Sequence, residues 1–233
     1  MSTEKSVSWL ENVNEQGFAV VEDVLPTEEL DPLTEELGRA TWRRSRAGVR
    51  HALGHDGVAA LARSPQLLGM AARVLGGSAF PFHATVFDKS PKANWLVAWH
   101  QDTALPLRNR LDTPGWGPWS VKDGVIYAHA PALALSRVLA LRVHLDDSTE
   151  QNGPLRVLPR THALDVLSDV AIHQLAAEIP AITCPVSRGG VLAMRPLLVH
   201  ASSKSQTEMP RRVVHIEYAA CVNVADGLEL AVG

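Results

Sequence analysis

The feature that most constrains the fold is a change of residue pattern near Phe80. From there to about residue 220, short β-type runs are separated by turns rich in glycine, proline and serine, which is typical of a β-sandwich or barrel. Residues 139–145 place leucine and valine on one face and Ala140, Arg142 and His144 on the other. The sequence therefore predicts a sheet with an apolar face packed under helices and a polar face that lines a cavity.

The first third of the chain has a mainly helical pattern. Residues 27–37 present a stripe of leucines, and residues 64–77 carry clear helix boundaries. In the second segment Ser64 has the position of an N-cap, Pro65 takes the first helical position, and Gly76 begins a Gly-Gly stop. We expect these helices to cover the sheet.

Composition and charge indicate a globular protein that binds a small molecule. The 233 residues are 46% hydrophobic and 20% charged, with a net charge of -3, and no basic cluster favours nucleic acid or an anionic membrane as a partner. No apolar run reaches the ~18 residues that cross a bilayer. The amino terminus lacks a signal core and the two cysteines lack CxxC spacing, so we expect a cytoplasmic protein.

The pattern also predicts the domain organisation. A mainly β chain of this length commonly folds as one unit, so we expect a single domain over residues 1–233. Its helical support is predicted at about residues 1–78, with one strand at residues 17–24, and its β core at about residues 79–220. Residues 103–137, with several prolines and glycines, are predicted to be an irregular loop that covers the active site. The sequence leaves the oligomeric state open.

Three residues have the pattern of a mononuclear metal site. His100 and Asp102 are two apart in WHQD, so their side chains leave the same face of an extended chain. His200, in LLVHAS, is the natural third ligand. Such a set occupies one face of an octahedron and leaves three positions for a bidentate keto acid and dioxygen. Because ten histidines make an accidental His-x-Asp pair common, the pair gains weight only from this ordered set.

An arginine pair follows the third candidate ligand. In residues 211–218, Arg211 shares the polar face with His215 and Glu217, whereas Arg212 shares the apolar face. A planar guanidinium can bind a carboxylate bidentately. We therefore predict that Arg211, rather than Arg212, binds the distal carboxylate of the keto acid.

These motifs, together with NGPLRVLPRTH at 152–162 and PRRVVHIEY at 210–218, resemble the phytanoyl-CoA dioxygenase family of iron(II)- and 2-oxoglutarate-dependent oxygenases. The resemblance covers roughly residues 17–220. It implies a mainly β fold, a double-stranded β-helix (jelly roll, cupin-like) backed by N-terminal helices. The turn that usually reads PGTH or PGSH has Arg160 in place of glycine, which leaves the backbone geometry of that turn open.

The resemblance also implies a set of site residues and cofactors. Iron(II) is expected on His100, Asp102 and His200, the 5-carboxylate of 2-oxoglutarate on Arg211 with help from the hydroxyl of Ser202, and O2 as the oxidant. Further residues are candidates for contacts with the substrate or co-substrate: Arg142, His144, His215, Trp116 and Trp119. For Arg142 and His144, an equal alternative is a buried ion pair with Asp146, Asp147 or Glu217.

Other polar and aromatic residues receive structural interpretations. We expect Lys89 to be a solvated surface residue and Trp95 and Trp99 to belong to the core. Gln101 is expected to order the backbone between the two ligands. Four histidines without a partner pattern are expected to be structural or exposed: His83, His129, His162 and His173.

The leading functional hypothesis is a dioxygenase that hydroxylates a small-molecule metabolite and releases succinate and CO2. A halogenase on the same scaffold would lack the carboxylate ligand, so Asp102 disfavours it. A metal-dependent (zinc) hydrolase could use the same three ligands but has no need for Arg211. A non-catalytic binding module on the same barrel is disfavoured by the complete ligand set. The sequence leaves open the substrate, recognition of coenzyme A, and the choice between hydroxylation, desaturation and another oxidation.

Overall fold

The structure, a computed structural model, describes residues 8–39, 48–90 and 93–232. Parts of the predicted N-terminal support, residues 1–7 and 40–47, lie outside the described residues, and the single-domain interpretation stays a prediction. The helices are α1 (Ser8–Glu15), α2 (Thr27–Arg39), α3 (Asp56–Ala62), α4 (Pro65–Leu75), α5 (Ala132–Leu135) and α6 (Asp169–Glu178), with short 3-10 helices at Ala52–Gly54 and Thr161–Ala163. The strands are β1 (Phe18–Val21), β2 (Phe80–Lys89), β3 (Val97–His100), β4 (Ala104–Leu107), β5 (Trp119–Lys122), β6 (Val125–His129), β7 (Val138–His144), β8 (Leu155–Val157), β9 (Ile182–Cys184), β10 (Val191–Met194), β11 (His200–Ser202), β12 (Arg211–Ala219), β13 (Asn223–Ala225) and β14 (Leu228–Glu229).

Two antiparallel sheets form the body of the fold. The larger has the strand order β1-β10-β7-β12-β2, and the smaller has the order β3-β11-β8-β9. Side chains from both sheets line one cavity, so the sheets face each other across it. The predicted mainly β, jelly-roll fold is confirmed, and the predicted N-terminal strand is confirmed as β1 at the edge of the larger sheet.

The outer face of the larger sheet packs under the N-terminal helices. Val143 on β7 and Ile216 on β12 are buried in the same core cluster as the leucines of α2. Each fully buried aliphatic side chain contributes roughly 1.5–3 kcal/mol to the stability of the fold. Burial of this apolar face against the helices leaves the other face of the sheet to line the cavity. The hydroxyl of Tyr218 also donates a hydrogen bond to the Ala62 carbonyl at 2.8 Å. The predicted alternation of β7 and β12 is confirmed.

Helix α4 follows the predicted boundaries. It begins with Pro65 and ends before Gly76, whose φ of 79° is the left-handed conformation that glycine adopts without steric cost. Ser64 holds the N-cap position, but its side chain makes no capping hydrogen bond. The boundaries therefore come from proline and glycine more than from the serine.

The prediction that residues 103–137 are irregular is wrong. They contain a three-stranded antiparallel sheet of order β4-β6-β5, followed by α5. Its strands have only four or five residues, too few for alternation to stand out among the surrounding prolines and glycines. Pro106 lies within β4, where its missing N–H is tolerated because β4 is an edge strand. This sheet borders the cavity, since Thr103 and Tyr127 are among the residues that line it.

Three further features lie in the C-terminal half. Residues 191–202 form two strands, β10 and β11, separated by a turn in which the Leu198 N–H donates to the Arg195 carbonyl. Helix α6 interrupts a region predicted to contain only strands. The β13-β14 hairpin lies beyond the predicted end of the core, and Leu230 bridges from there to Leu107 of β4. Within the described ranges, no helix is both long and apolar enough to span a membrane.

Candidate active site

A cavity of about 310 Å³ lies between the two main sheets, next to the three-stranded sheet. The polar face of β12 supplies Arg211, His215 and Glu217 to its wall, and β7 supplies Arg142. The smaller sheet supplies His200 and its neighbours from the opposite side. The predicted polar face therefore does line a cavity.

The side chains of His100, Asp102 and His200 meet in this cavity. His100 ends β3, Asp102 lies two residues beyond it, and His200 opens β11 directly opposite His100. A carboxylate oxygen of Asp102 lies 3.5 Å from Nε2 of each histidine. Ligand atoms from the three residues lie within 4.8 Å of one another, and no other group of this kind occurs among the described residues. The structure thus brings the three predicted ligands together.

Both imidazoles are held in the tautomer that a metal needs. Nδ1 of His100 is 2.8 Å from the Ala98 carbonyl, and Nδ1 of His200 is 2.8 Å from the Leu198 carbonyl. Because a carbonyl oxygen only accepts, each Nδ1 carries a proton, and Nε2 is the nitrogen that a metal can bind. Two imidazole nitrogens and one carboxylate, all facing one point, fit a divalent iron ion with open positions.

The charge state of the three residues also suits a cation. Burial disfavours the ionised Asp102, but His200 and His100 outweigh it and hold the pKa of that carboxyl well below its usual range. Burial lowers the pKa of His200 to about 4, which keeps this imidazole neutral at pH 7. For His100, burial lowers the pKa, and the hydrogen bond and charge of Asp102 raise it by more. A metal ion would compete with that proton for the same nitrogen.

Gln101 fixes the backbone between the two ligands, as predicted. Its amide nitrogen donates to the Leu197 carbonyl at 2.8 Å, and its oxygen accepts from the Leu167 N–H at 2.8 Å. These bonds join the segment that carries His100 and Asp102 to the turn before β11. The relative positions of the three ligands are therefore set by hydrogen bonds as well as by strand pairing.

A second cluster beside the cavity carries positive charge. Arg211 is 3% exposed, and its Nε and Nη1 have no hydrogen-bond partner among the described residues. Burial, and then the charge of Arg142, lowers the pKa of Arg211 to about 9. Lys89 is paired with Arg211 across β2 and β12 and is fully buried. In the part of the chain that the structure describes, none of these three cations is ion-paired, so an anionic ligand would stabilise them.

The expectation that Lys89 is a solvated surface residue is wrong. Its ammonium donates to the Ser202 hydroxyl at 2.8 Å and to the Ser203 carbonyl. Ser202 in turn donates to the Gly153 carbonyl at 2.9 Å. Burial, followed by the charges of Arg211 and Arg142, lowers the pKa of Lys89 to about 7. Lys89 therefore joins Arg211 and Ser202 in one anion-binding corner.

Arg212 lies on the opposite face of β12 from Arg211. Its Nε and Nη2 bind the two oxygens of Asp146 at 2.8 and 2.7 Å, and its Nη1 donates to the Thr34 carbonyl at 3.0 Å. This fork between sheet and α2 is structural. The prediction that strand alternation separates the roles of the two arginines is supported by their positions.

The other predicted contact residues divide into two groups. Arg142 and His215 both line the cavity, and Nη1 of Arg142 lies 3.1 Å from Nδ1 of His215. His144 is buried but does not line the cavity, and neither of its ring nitrogens has a hydrogen-bond partner among the described residues. Trp116 and Trp119 pack against the hydrophobic core near β4 instead of facing the cavity, because the stretch that carries them is folded. The alternative ion pair is absent for Arg142 and His144 within the described residues, since Asp146 binds Arg212.

Several residues that line the cavity were predicted to lie elsewhere. Trp95 lines the cavity although it was expected in the core, whereas Trp99 does pack against core residues. His83 and His129 also line the cavity, while His162 and His173 bind backbone carbonyls elsewhere. Lys122 and Tyr127 reach the cavity from the sheet that was predicted to be irregular. Only Glu217 could have been placed at the cavity from the sequence, because it lies on the polar face of β12.

The PRTH turn keeps a glycine-like backbone despite its arginine. Arg160 has a φ of 70° and a ψ of -5°, and its N–H donates to the Gln16 carbonyl at 2.8 Å. Thr161 then donates to the Leu158 carbonyl and accepts from the Val199 N–H at 2.9 Å, one residue before His200. The turn therefore supports the strand that carries the third ligand.

Comparisons with known proteins agree with this geometry. A sequence model of the family described as phytanoyl-CoA dioxygenase (PhyH) matches residues 13–213. The chain is 26% identical, over 191 residues, to L-proline trans-4-hydroxylase from Streptomyces griseoviridis; the match covers 71% of this chain and 63% of that protein.

Solved structures show the same fold. AviO1 from Streptomyces viridochromogenes Tue57 superposes with a TM-score of 0.69 at 23% identity, covering 94% of this chain and 96% of AviO1. The epimerase SnoN, solved with Fe3+, alpha ketoglutarate and nogalamycin RO, superposes with a TM-score of 0.70 at 22% identity, covering 92% of this chain and 83% of SnoN. At such identities these similarities concern the fold alone.

Proposed function

The chain belongs to the phytanoyl-CoA dioxygenase family, and from that premise we propose that it is a non-haem iron(II)- and 2-oxoglutarate-dependent dioxygenase that hydroxylates a small molecule, with release of succinate and CO2. The observation that carries the proposal is the pairing of two features in one cavity. Three metal-ligand side chains converge beside a buried, unpaired cationic corner. A keto dicarboxylate that chelates a metal at one end needs both features.

We assign the metal to Nε2 of His100, Nε2 of His200 and the carboxylate of Asp102. When bound, iron(II) would activate O2, the oxidant, with two electrons from the oxidative decarboxylation of 2-oxoglutarate, for hydroxylation of an unactivated carbon. The carbonyls of Ala98 and Leu198 hold a proton on Nδ1 of each imidazole, which leaves Nε2 as the nitrogen for the metal. It therefore presents a site arranged for metal before the metal binds.

We assign the distal carboxylate of 2-oxoglutarate to Arg211, with the Ser202 hydroxyl and Lys89 beside it. Nε and Nη1 of Arg211 have no other described partner, so this guanidinium has donors left for a carboxylate. Lys89 orients the Ser202 hydroxyl through their 2.8 Å contact and adds charge to the same corner. Anchoring this carboxylate fixes the direction in which the keto-acid end points.

Three alternatives fit the site less well. A zinc hydrolase would use the three ligands, but it gives no reason for three buried cations without counter-charge. A non-catalytic module gives no reason for either cluster. A halogenase would need the position of Asp102 free of a carboxylate, and the carboxylate of Asp102 lies 3.5 Å from both histidines.

We propose that the substrate is a small metabolite and that the protein acts in the cytoplasm. The cavity volume of about 310 Å³ lies at the lower end of the range of about 300–1,000 Å³ typical of ligand sites. The similarity to a proline hydroxylase favours the same size class, although the match spans 63% of that relative. The unpaired Cys184 and Cys221 are compatible with a reducing compartment.

A substrate screen that follows succinate tests the proposal. The iron(II)-loaded protein is incubated with 2-oxoglutarate, O2 and pools of small metabolites, and succinate is measured by mass spectrometry. We expect succinate to form in stoichiometry with a product that is 16 Da heavier than one pool member. Conversion of a pool member that proceeds without 2-oxoglutarate, or with zinc in place of iron, would favour the hydrolase.

A further inference from the structure

The end of the cavity away from Arg211 has a different chemical character. Arg211 and Glu217 lie on the same face of β12, six residues apart, which separates them by about 20 Å along an extended strand. Glu217 pairs with His83 of β2, and the short bridge between Val49 and Val86 brings the segment after Val49 alongside. This end of the cavity therefore lies away from the cationic corner that holds Arg211.

The carboxyl group of Glu217 is buried without a partner. Its residue is 9% exposed and lines the cavity, and it forms neither a side-chain hydrogen bond nor an ion pair with any described residue. Burial, and then the charge of Asp102, raises its pKa to about 8. The Tyr127 hydroxyl, which belongs to another residue that lines the cavity, is also buried without a partner among the described residues. Groups of this kind are costly unless a ligand satisfies them.

Two cations lie close to the same recess. Nζ of Lys122 lies 4.7 Å above the Tyr127 ring, and both Lys122 and Arg50 line the cavity. Among the described residues, the ion pair of Arg50 is a distant one with Asp123, at 4.0 Å. Lys122 and Glu217 shift each other's pKa, yet they are not within the 4.0 Å of an ion pair. The recess thus holds a carboxyl group and two cations that are not paired with one another.

We propose that this recess, lined by Arg50, Lys122, Tyr127 and Glu217, binds a small ampholytic substrate, with the substrate's amine on Glu217 and its carboxylate on Lys122 and Arg50. This inference rests on the proposed function, because it names the substrate class of the same site. A dicarboxylate would place negative charge against Glu217, and a simple amine would face Lys122 and Arg50. An apolar substrate would leave the buried Glu217 carboxyl and Tyr127 hydroxyl without a partner.

Binding to the full chain, loaded with iron(II) and 2-oxoglutarate under argon, tests the proposal without turnover. The probes are the twenty proteinogenic amino acids together with β-alanine and 4-aminobutyrate, which vary the distance between amine and carboxylate. Isothermal titration is expected to detect at least one of them at a single site. Its N-acetyl and methyl-ester derivatives, which each remove one charge, are expected to bind at least tenfold more weakly.

Variants connect the binding to the recess. Glu217→Gln, which keeps the shape of the side chain, is expected to raise the dissociation constant of the bound amino acid by about 30-fold or more, because the amine loses its buried charge partner. Lys122→Met is expected to raise the same dissociation constant by roughly tenfold. Glu178→Gln, on the exposed surface of α6, is the matched control and is expected to change nothing.

The outcomes separate this proposal from the one before it. Failure of every amino acid to bind, equal binding of the neutralised derivatives, or unchanged binding by Glu217→Gln each overturns the ampholyte assignment. If 2-oxoglutarate still binds in those cases, only the substrate class is wrong. If 2-oxoglutarate itself does not bind to the iron-loaded protein, the proposed function fails.

Discussion

Replacing Arg211 with alanine removes the group on which the binding of 2-oxoglutarate is expected to depend most. Removing one partner of a desolvated charge pair costs about 2–5 kcal/mol. Arg211 is almost fully buried, so this whole range of free energies applies to it. Lys89 and Arg142 stay nearby, however, and still provide positive charge for the carboxylate. We therefore expect the lower part of the range. At about 1.4 kcal/mol per decade, the dissociation constant rises by roughly 30- to 300-fold.

Anaerobic titration of the iron(II)-loaded protein with 2-oxoglutarate measures this change. Arg211→Lys is expected to be impaired as well, because a point charge cannot reproduce the planar fork. Arg212→Ala is the matched control: its guanidinium binds Asp146 and the Thr34 carbonyl on the other face of β12, so its dissociation constant is expected to stay within about twofold.

The reasoning is refuted by the reverse pattern. A large loss of affinity in Arg212→Ala with none in Arg211→Ala would mean that the register of β12 is off by one residue, which moves every side chain to the other face. Equal, small effects in both variants would mean that the cationic corner does not bind the co-substrate.

Three other outcomes follow from the structure. The pKa of Lys89 is lowered to about 7, and a bound dicarboxylate raises it, so binding of 2-oxoglutarate above pH 7 is expected to take up a proton. Calorimetry in buffers of different ionisation enthalpy measures this uptake. Lys89→Met is expected to abolish it. Asp146→Ala leaves Arg212 unpaired and is expected to lower the free energy of unfolding by about 1–3 kcal/mol in urea titrations, with the affinity for 2-oxoglutarate unchanged. Arg160→Gly relieves a φ of 70° and is expected to raise Tm by about 2–4 °C, whereas a lower Tm would show that the arginine side chain stabilises the turn.

Strand alternation was the most reliable guide in the sequence. It placed Val143 and Ile216 under the helices and Arg211 and His215 on the cavity side, because one buried face fixes the register of a strand. The same rule put Glu217 on the cavity wall, yet it could not indicate that the carboxyl would lack a partner. That property depends on which side chains the neighbouring strands contribute.

Other parts of the site could not be predicted because they depend on contacts between distant segments. Lys89 follows an aspartate and precedes a turn, which is a surface pattern, but pairing of β2 with β12 buries it beside Arg211. Residues 103–137 read as a loop because their strands are short and contain proline. The sheet forms because β6 pairs with both β4 and β5, and it brings Tyr127 to the cavity.

The visible spectrum of the anaerobic protein tests the central claim most directly. We expect a weak metal-to-ligand charge-transfer band when both iron(II) and 2-oxoglutarate are present, because the keto acid chelates iron through its C1 carboxylate and ketone. Zinc is expected to give no band, being d10. Asp102→Ala is expected to weaken iron binding and to lose the band together with turnover. Tight iron binding by the intact protein with no band on addition of 2-oxoglutarate would contradict the oxygenase assignment and favour a hydrolytic site.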